Sequence, residues 1–190
     1  MRIELIGPPT AGKSQLVKTL IKKGVLRGNK YAEIIIPKEW KKFSKFVNKV
    51  YKPTTYKKLP DKTLMSLTLA HEGGRSKKWV VYDELVMLCG FSMAIRIPEH
   101  AEEYFEKAPL PELLIVLSAN EKILMNRNKQ RGLKNRPDKT MRCINAHKKY
   151  LPILEKRNCP ILKFDTSFRS SGSIANEIIS KLSEFGGING

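Results

Sequence analysis

Residues 7 to 14 read Gly-Pro-Pro-Thr-Ala-Gly-Lys-Ser, and this octet constrains the fold more than any other stretch. Its glycines and prolines interrupt regular structure, so it must be a loop. Arg2–Ile6 before it reads as a short strand. Ser14–Lys23 after it places Leu16, Val17, Leu20 and Ile21 on one helix face, and Gly24 supplies a helix stop. A loop between a strand and a helix aims successive N–H groups at one point. The helix N-terminus adds partial positive charge there. The spacing matches G-x-x-x-x-G-K-[ST] at every fixed position, which predicts a phosphate cradle. The alternative, an ordinary Gly/Pro turn before a helix, requires pattern and context to agree by chance.

Pro8 and Pro9 carry no N–H, so the cradle has to use the amides from Thr10 onward. Gly7, Thr10, Ala11, Gly12, Lys13, Ser14 and Gln15 are the candidate nucleotide-binding residues. Lys13 can reach the β- and γ-phosphates, and the Ser14 hydroxyl can hold Mg²⁺.

A second constellation follows the apolar run Trp79-Val-Val-Tyr82, which reads as a strand running into Asp83 and Glu84. A carboxylate at the C-terminal end of a parallel strand lies where α/β folds bind ligands. If this strand neighbours the first, Asp83 comes close to the loop. It could then hold Mg²⁺ or accept the proton of an attacking hydroxyl. A strand-end acid can equally cap the next helix. The Asp-Glu pair also fits a hydrolytic ATPase, with Asp83 serving the metal and Glu84 activating water.

Arg127, Arg131 and Arg136 form the third constellation, a lid spanning roughly residues 126–140. Arg127 and Arg131 are four apart and share a helix face. Gly132 then breaks the helix and leaves Arg136 on a loop. Guanidinium groups bind phosphate oxygens bidentately, so these three can stabilise a transferring phosphoryl group. A solvated basic helix is the plainer alternative.

The remaining pattern predicts a strand at Tyr31–Pro37, a helix at Asp61–His71 and a turn at Gly73-Gly74. It further predicts helices at Leu85–Ile95 and Glu99–Lys107, and a buried strand at Leu113–Leu117. A helix capped by Asn120, one from Thr140 to about Lys156, a strand at Ile161–Phe164 and a closing helix at Ser173–Phe185 complete it. The terminal Gly-Gly-Ile-Asn-Gly is expected to fray. The 190 residues fit one domain, a mostly parallel sheet covered on both faces.

Here the chain resembles the P-loop nucleoside and nucleotide kinases, of the thymidylate-kinase and deoxynucleoside-kinase kind. The likeness rests on Gly7–Ser14, on Asp83 after its strand, on the Arg127–Arg136 lid, and on Ile161–Phe164 followed by Asp165-Thr166-Ser167. It implies a three-layer α/β/α sandwich with a five-stranded parallel core and helical lid. ATP as donor, Mg²⁺, and adenine near the last motif are also implied. Thymidylate kinases usually carry Asp-Arg where this chain has Asp83-Glu84. That departure removes a ligand for an acceptor phosphate.

Charge bears on the acceptor. The chain has 36 Lys and Arg against 18 Asp and Glu, a formal net charge of +18. Such an excess repels itself unless a polyanion relieves it, and nucleic acid is the polyanion to expect. A lysine-rich proteome would raise the charge equally. The segment 38–58 holds Lys38, Lys41, Lys42 and five further lysines, with Trp40 and four other aromatics interleaved. Its lysines could follow a phosphate backbone while a ring stacks on a base, although the aromatics also fit a core-facing helix. In kinases of this class the segment lies on the acceptor side, making Lys38, Trp40, Lys41, Lys42 and Glu84 the candidate acceptor-binding residues.

The expectation drawn from these features is phosphoryl transfer to a hydroxymethylated pyrimidine within DNA. It is similar in type to the phage kinases that act on 5-hydroxymethyluracil in DNA. Kinases of free nucleosides or nucleotides, a nucleic-acid-dependent ATPase, and a nucleotide-controlled DNA-binding switch are the alternatives. Cys89, Cys143 and Cys159 show no zinc or disulfide spacing, and no apolar stretch approaches a membrane span. With no room for a signal peptide before the first strand, a reduced, cytoplasmic setting is expected.

Overall fold

Strands that alternate with helices along a chain pair in parallel, because each crossover helix returns the chain to the same edge. The computed structural model describes residues 1–28, 37–51, 58–83, 85–132 and 137–184, and it follows this rule. Its elements run β1 (Arg2–Ile6), α1 (Lys13–Lys22), β2 (Leu26–Arg27), α2 (Lys41–Tyr51), α3 (Lys58–Arg75), β3 (Val80–Tyr82) and α4 (Val86–Arg96). The second half adds α5 (Ala101–Lys107), β4 (Leu113–Ser118), α6 (Glu121–Gln130), α7 (Pro137–Lys156), β5 (Ile161–Asp165) and α8 (Ser171–Glu184). The sheet order is β2-β3-β1-β4-β5, and every described strand pair is parallel.

Alternation along the strands divides the core. Ile3 and Leu5 of β1, with Leu113, Ile115 and Leu117 of β4, meet Leu16 and Leu20 of α1 and Ile174, Ile178 and Leu182 of α8. On the other face Ile6, Tyr82, Leu114 and Val116 pack against residues of α2, α3, α4, α5 and α7. Helices therefore cover both faces of the sheet, as the three-layer expectation requires. Both faces of β4 being buried explains why Leu113–Leu117 is a continuous apolar run.

Two charged residues share the second face. Arg2 and Glu4, two apart on β1, are 2% and 1% exposed, and Arg2 Nε lies 3.2 Å from Glu4 Oε1. Arg2 also donates to the carbonyls of Ala70 (3.1 Å) and Pro109 (3.3 Å). Glu4 Oε2 accepts the Met87 N–H at 2.7 Å, in the first turn of α4, which has no side-chain cap at its own N-terminus. A strand residue thus caps a helix from across the core. Burial pushes the Glu4 carboxyl above its usual range, while Arg2 and the Met87 N–H oppose that rise.

Three expectations need comment. Gly73-Gly74 is not a turn: α3 runs through both to Arg75. A Cβ on Gly73 would lie 2.9 Å from the Tyr82 ring, so this glycine admits a close approach rather than ending the helix. The described second strand is Leu26–Arg27, a two-residue exposed edge too short for any periodic signal. The expected strand Tyr31–Pro37 falls almost wholly outside the described residues, as does the expected C-terminal fraying.

Candidate active site

In this strand order β1 has β3 on one side and β4 on the other, so the chain leaving β1 emerges at the reversal point of the sheet. That chain is the octet. Gly7 has φ +152°, and a Cβ there would lie 2.4 Å from the Leu117 carbonyl oxygen of β4. Only glycine lets the loop pass this close to the neighbouring strand. Gly7→Ala should therefore lower stability by about 2 kcal/mol and weaken nucleotide binding at least about tenfold. Urea denaturation and a nucleotide titration check this, and unchanged binding contradicts it.

Gly12 takes the N-cap of α1 with φ +94°, and no side chain caps this helix. The first helical bond joins Leu16 N–H to Gly12 O. The amides of Lys13, Ser14 and Gln15 therefore lie before the helical ladder, where an anion can be held. Ala11 N–H turns inward to Pro8 O at 3.3 Å, and the Ala11 side chain is buried. Of the amides expected from Thr10 onward, that one is thus already engaged within the loop. Lys13 Nζ folds over the loop, donating to the carbonyls of Gly7 (2.7 Å) and Pro8 (3.0 Å).

Thr10 holds φ +62°, and its hydroxyl donates to Pro9 O and to Leu124 O of α6 at 3.2 Å. The loop is thereby tied to the stem of the expected lid. Asn120 caps α6 as expected, accepting from Lys122 N–H at 3.0 Å. Arg127 on α6 donates to Thr166 O (2.7 Å) and Thr166 Oγ1 (3.1 Å), and approaches Thr10 O at 3.5 Å. Its guanidinium therefore braces the loop against the segment after β5.

The brace closes one side of a cleft of about 320 Å³ between α1, α6 and α8. Thr10, Gly12, Gln15 and Thr166 are among its lining residues. Arg127 and Arg131 share this cleft, as their four-residue spacing anticipates. Arg169, which the sequence reading missed, joins them, so three arginines line a cleft with no acidic residue in its lining. Arg169 is also paired with Glu177 at 2.7 Å and lies 5.5 Å over the Phe164 ring. Phe168 beside it is 92% exposed. No local pattern marks Arg169; it follows β5, and only the sheet order brings it to the cleft.

Asp83 directly follows Tyr82, which pairs with Glu4 three residues before Gly7. The condition set for it holds, since β3 is the neighbour of β1. It is half-buried. Glu84 and Arg136 lie outside the described residues. A hydroxyl and a carboxylate, the donors of Ser14 and Asp83, are the hard oxygen ligands Mg²⁺ takes. Among the described residues, no three His, Cys, Asp or Glu side chains cluster as a metal site, and no helix is long and apolar enough to cross a membrane.

The segment 38–51 forms a 3-10 turn (Lys38–Trp40) and α2. Phe43, Phe46 and Tyr51 point into the core, and Trp40 leans on it, edge-on to His71 at 5.7 Å. Lys41, Lys42, Lys45 and Lys49 stay exposed. The lysines remain available to an anionic partner, whereas three of the five rings are committed to the core.

Behind the loop, His147 of α7 packs on Phe91 with ring centroids 4.2 Å apart. Burial, and then the Lys13 ammonium, push its pKa down to about 4 from 6.5. The folded state therefore keeps it neutral while the unfolded chain takes up a proton below pH 6.5. Stability should fall as pH drops from about 6.5 to about 4, with about 2 kcal/mol of the loss reached by pH 5. His147→Phe should flatten that part of the profile in urea denaturation. An unchanged slope contradicts the assignment.

No protein-family model matches the sequence, and no curated protein matches it significantly. Solved structures do. Deoxyadenosine kinase from M. mycoides with bound dATP is 17% identical, covering 96% of this chain and 100% of its own, with a TM-score of 0.60. The YorR protein from Bacillus subtilis in complex with phosphorylated GDP is 16% identical over 100% of both chains, with a TM-score of 0.57. Shikimate kinase from Acinetobacter baumannii with shikimate is 14% identical, covering 97% of this chain and 94% of its own, with a TM-score of 0.50. At such identities the likeness is one of fold, and the fold is the one these proteins share.

Proposed function

We propose that this chain is an ATP- and Mg²⁺-dependent kinase that moves a γ-phosphoryl group to a hydroxyl of a free nucleoside, nucleotide or related small molecule. The observation that carries this reading is the uncapped N-terminus of α1, whose Gly12 and Gln15 line an acid-free cleft with three arginines, while Lys13, outside that lining, folds over the same loop. The preference for a small acceptor draws on the structural neighbours, which hold dATP, phosphorylated GDP or shikimate.

In this reading the amides of Lys13, Ser14 and Gln15 hold the triphosphate, and Lys13 neutralises charge on the transferring group. Ser14 and Asp83 would hold Mg²⁺, which when bound offsets charge on the phosphate oxygens. Asp83 accepts the acceptor hydroxyl's proton. Arg131 reaches the phosphates, a role that the sequence pattern assigns to Arg136 as well, while Arg127 keeps the cleft walls in register. The donor base lies towards Thr166.

A second reading keeps the acceptor hydroxyl within DNA. It is favoured by the +18 charge and by four exposed lysines on α2, with Lys38 and Trp40 beside them. It is disfavoured by the burial of Phe43, Phe46 and Tyr51, which leaves fewer rings to stack on a base. The test supplies γ-labelled ATP with deoxynucleosides, nucleoside monophosphates, shikimate, plain DNA and hydroxymethylated DNA. Label in a free small molecule is the expected result. Label confined to DNA establishes the second reading, and phosphate release without a labelled acceptor points to an ATPase.

A further inference from the structure

Helix α2 presents a charged face that phosphoryl transfer to a small acceptor does not require. Its 11 residues hold four lysines and no Asp or Glu. At about 100° per residue, Lys41, Lys42, Lys45 and Lys49 fall within an arc of about 120°. All four are exposed. The opposite arc holds Phe43, Phe46, Val47, Val50 and Tyr51, which are buried in the core. The periodicity that builds the core therefore also aligns the lysines.

Among the described residues, none of the four pairs with an acid. Glu39, in the turn before α2, is taken by His71 at 3.3 Å. Glu103 is taken by Lys107, whose ammonium lies 5.2 Å over the Phe46 ring of α2. The lysine face thus keeps its charge and has a further cation beside it.

Charge complementarity asks for an extended anion. From Lys41 to Lys49 the ridge runs about 12 Å along the helix axis. Each strand of a DNA duplex carries a phosphate about every 3.4 Å of axis, so the ridge spans about four of them. A net charge of +18 adds long-range attraction for such a partner. An anionic membrane suits the face less well. A helix that lies in a membrane sinks an apolar face below the headgroups, and the apolar face of α2 is spent in the core. The same burial leaves contact to the nucleic-acid backbone rather than stacking on bases.

The ridge and the nucleotide cleft also lie on different faces of the sheet. Helix α2 packs on the side of Ile6 and Val116, whereas α1 and α8, which bound the cleft, cover the side of Leu5 and Leu117.

We propose that the α2 lysines are a docking surface for nucleic acid, gripping its phosphate backbone without reading sequence and independently of the nucleotide cleft. Docking of this kind requires no phosphoryl transfer, so it holds whichever acceptor the kinase uses.

The probe is a fluorescently labelled duplex of about 20 base pairs, followed by anisotropy against the full chain without ATP. Two variants each remove four positive charges. One is Lys41→Gln, Lys42→Gln, Lys45→Gln and Lys49→Gln. The other, a control, carries Arg142→Gln, Lys148→Gln, Lys149→Gln and Lys156→Gln, all exposed on α7. At about 0.15 M salt, charges more than about 8 Å from the DNA are largely screened. The α2 variant should bind about tenfold or more weakly, and its slope of log K against log salt should shrink by about 3 to 4. The α7 variant should stay within about threefold of the parent. A saturating non-hydrolysable ATP analogue should leave parent binding within about twofold. Circular dichroism confirms folding, and if the quadruple α2 variant does not fold, Lys45→Gln with Lys49→Gln decides, with a slope change of about 2. Equal losses in the α2 and α7 variants, an unchanged slope in a folded α2 variant, or displacement by the analogue overturns the proposal. So does absence of binding by the parent at about 0.1 mM chain. Tighter binding to phosphatidylserine vesicles, or displacement of the duplex by poly-glutamate as readily as by unlabelled duplex, overturns it as well. No turnover is read, so failure of the kinase reading shows separately, in the assay with γ-labelled ATP.

Discussion

Lys13→Ala is expected to reduce phosphoryl transfer by about 10²–10³-fold, the scale on which removal of one preorganised donor acts in a water-excluded site. The ammonium donates to the carbonyls of Gly7 and Pro8, at 2.7 and 3.0 Å, which holds the side chain over the loop. A γ-phosphate replaces those neutral acceptors with a stronger, charge-assisted one. Ground-state binding should suffer less than turnover, because charge on the transferring group changes most in the transition state. Initial rates with γ-labelled ATP, beside a nucleotide titration, separate the two effects. A variant that folds normally and keeps kcat/KM within about threefold of the parent would remove Lys13 from the mechanism.

The second large effect lies in the core. Arg2→Met should destabilise the protein by about 3–5 kcal/mol, a substantial part of the roughly 5–15 kcal/mol that holds a domain together. The reason is the partner left behind. Glu4 is 1% exposed, and without Arg2 its charge would keep only the Met87 N–H at 2.7 Å. Two further bonds, to the Ala70 and Pro109 carbonyls, go with the guanidinium. Adding Glu4→Gln should recover much of the loss, since an amide needs no counter-charge and can still accept from Met87. Urea denaturation of parent, single and double variants measures this. If the double variant is no more stable than Arg2→Met alone, lost packing rather than an unpaired charge explains the cost.

The site was legible in the sequence wherever local pattern and local geometry coincide. The octet located β1, its loop and α1 to within about a residue, because glycine, proline and a capless helix start are local facts. Asn120 signalled its cap, and Leu113–Leu117 its buried strand, for the same reason. Gly73-Gly74 misled because glycine breaks helices only when nothing else needs the space, and the Tyr82 ring needs it here. The charges of Arg2 and Glu4 stand at i and i+2 of a strand, which places them on one face, yet only the packing of α4 shows why an acid is kept there.

The lid arginines divide along the same line. Their four-residue spacing put Arg127 and Arg131 on one side of α6, and both line the cleft. That Arg127 spends its guanidinium on Thr166 and Thr10 rather than reaching freely for phosphate depends on β5 standing beside β4. Arg169 and His147 enter the picture by the same route, from segments distant in sequence.

What the sequence determined by itself is the phosphate loop, the α/β alternation and the sign of the charge, since each arises from neighbouring residues or from composition. Tertiary structure alone decided which side chains meet at that loop. It recruited Arg169 to the cleft, Glu4 to the start of α4, and His147 to the far side of Pro8. The order of parallel strands sets these meetings, and no local residue pattern encodes that order.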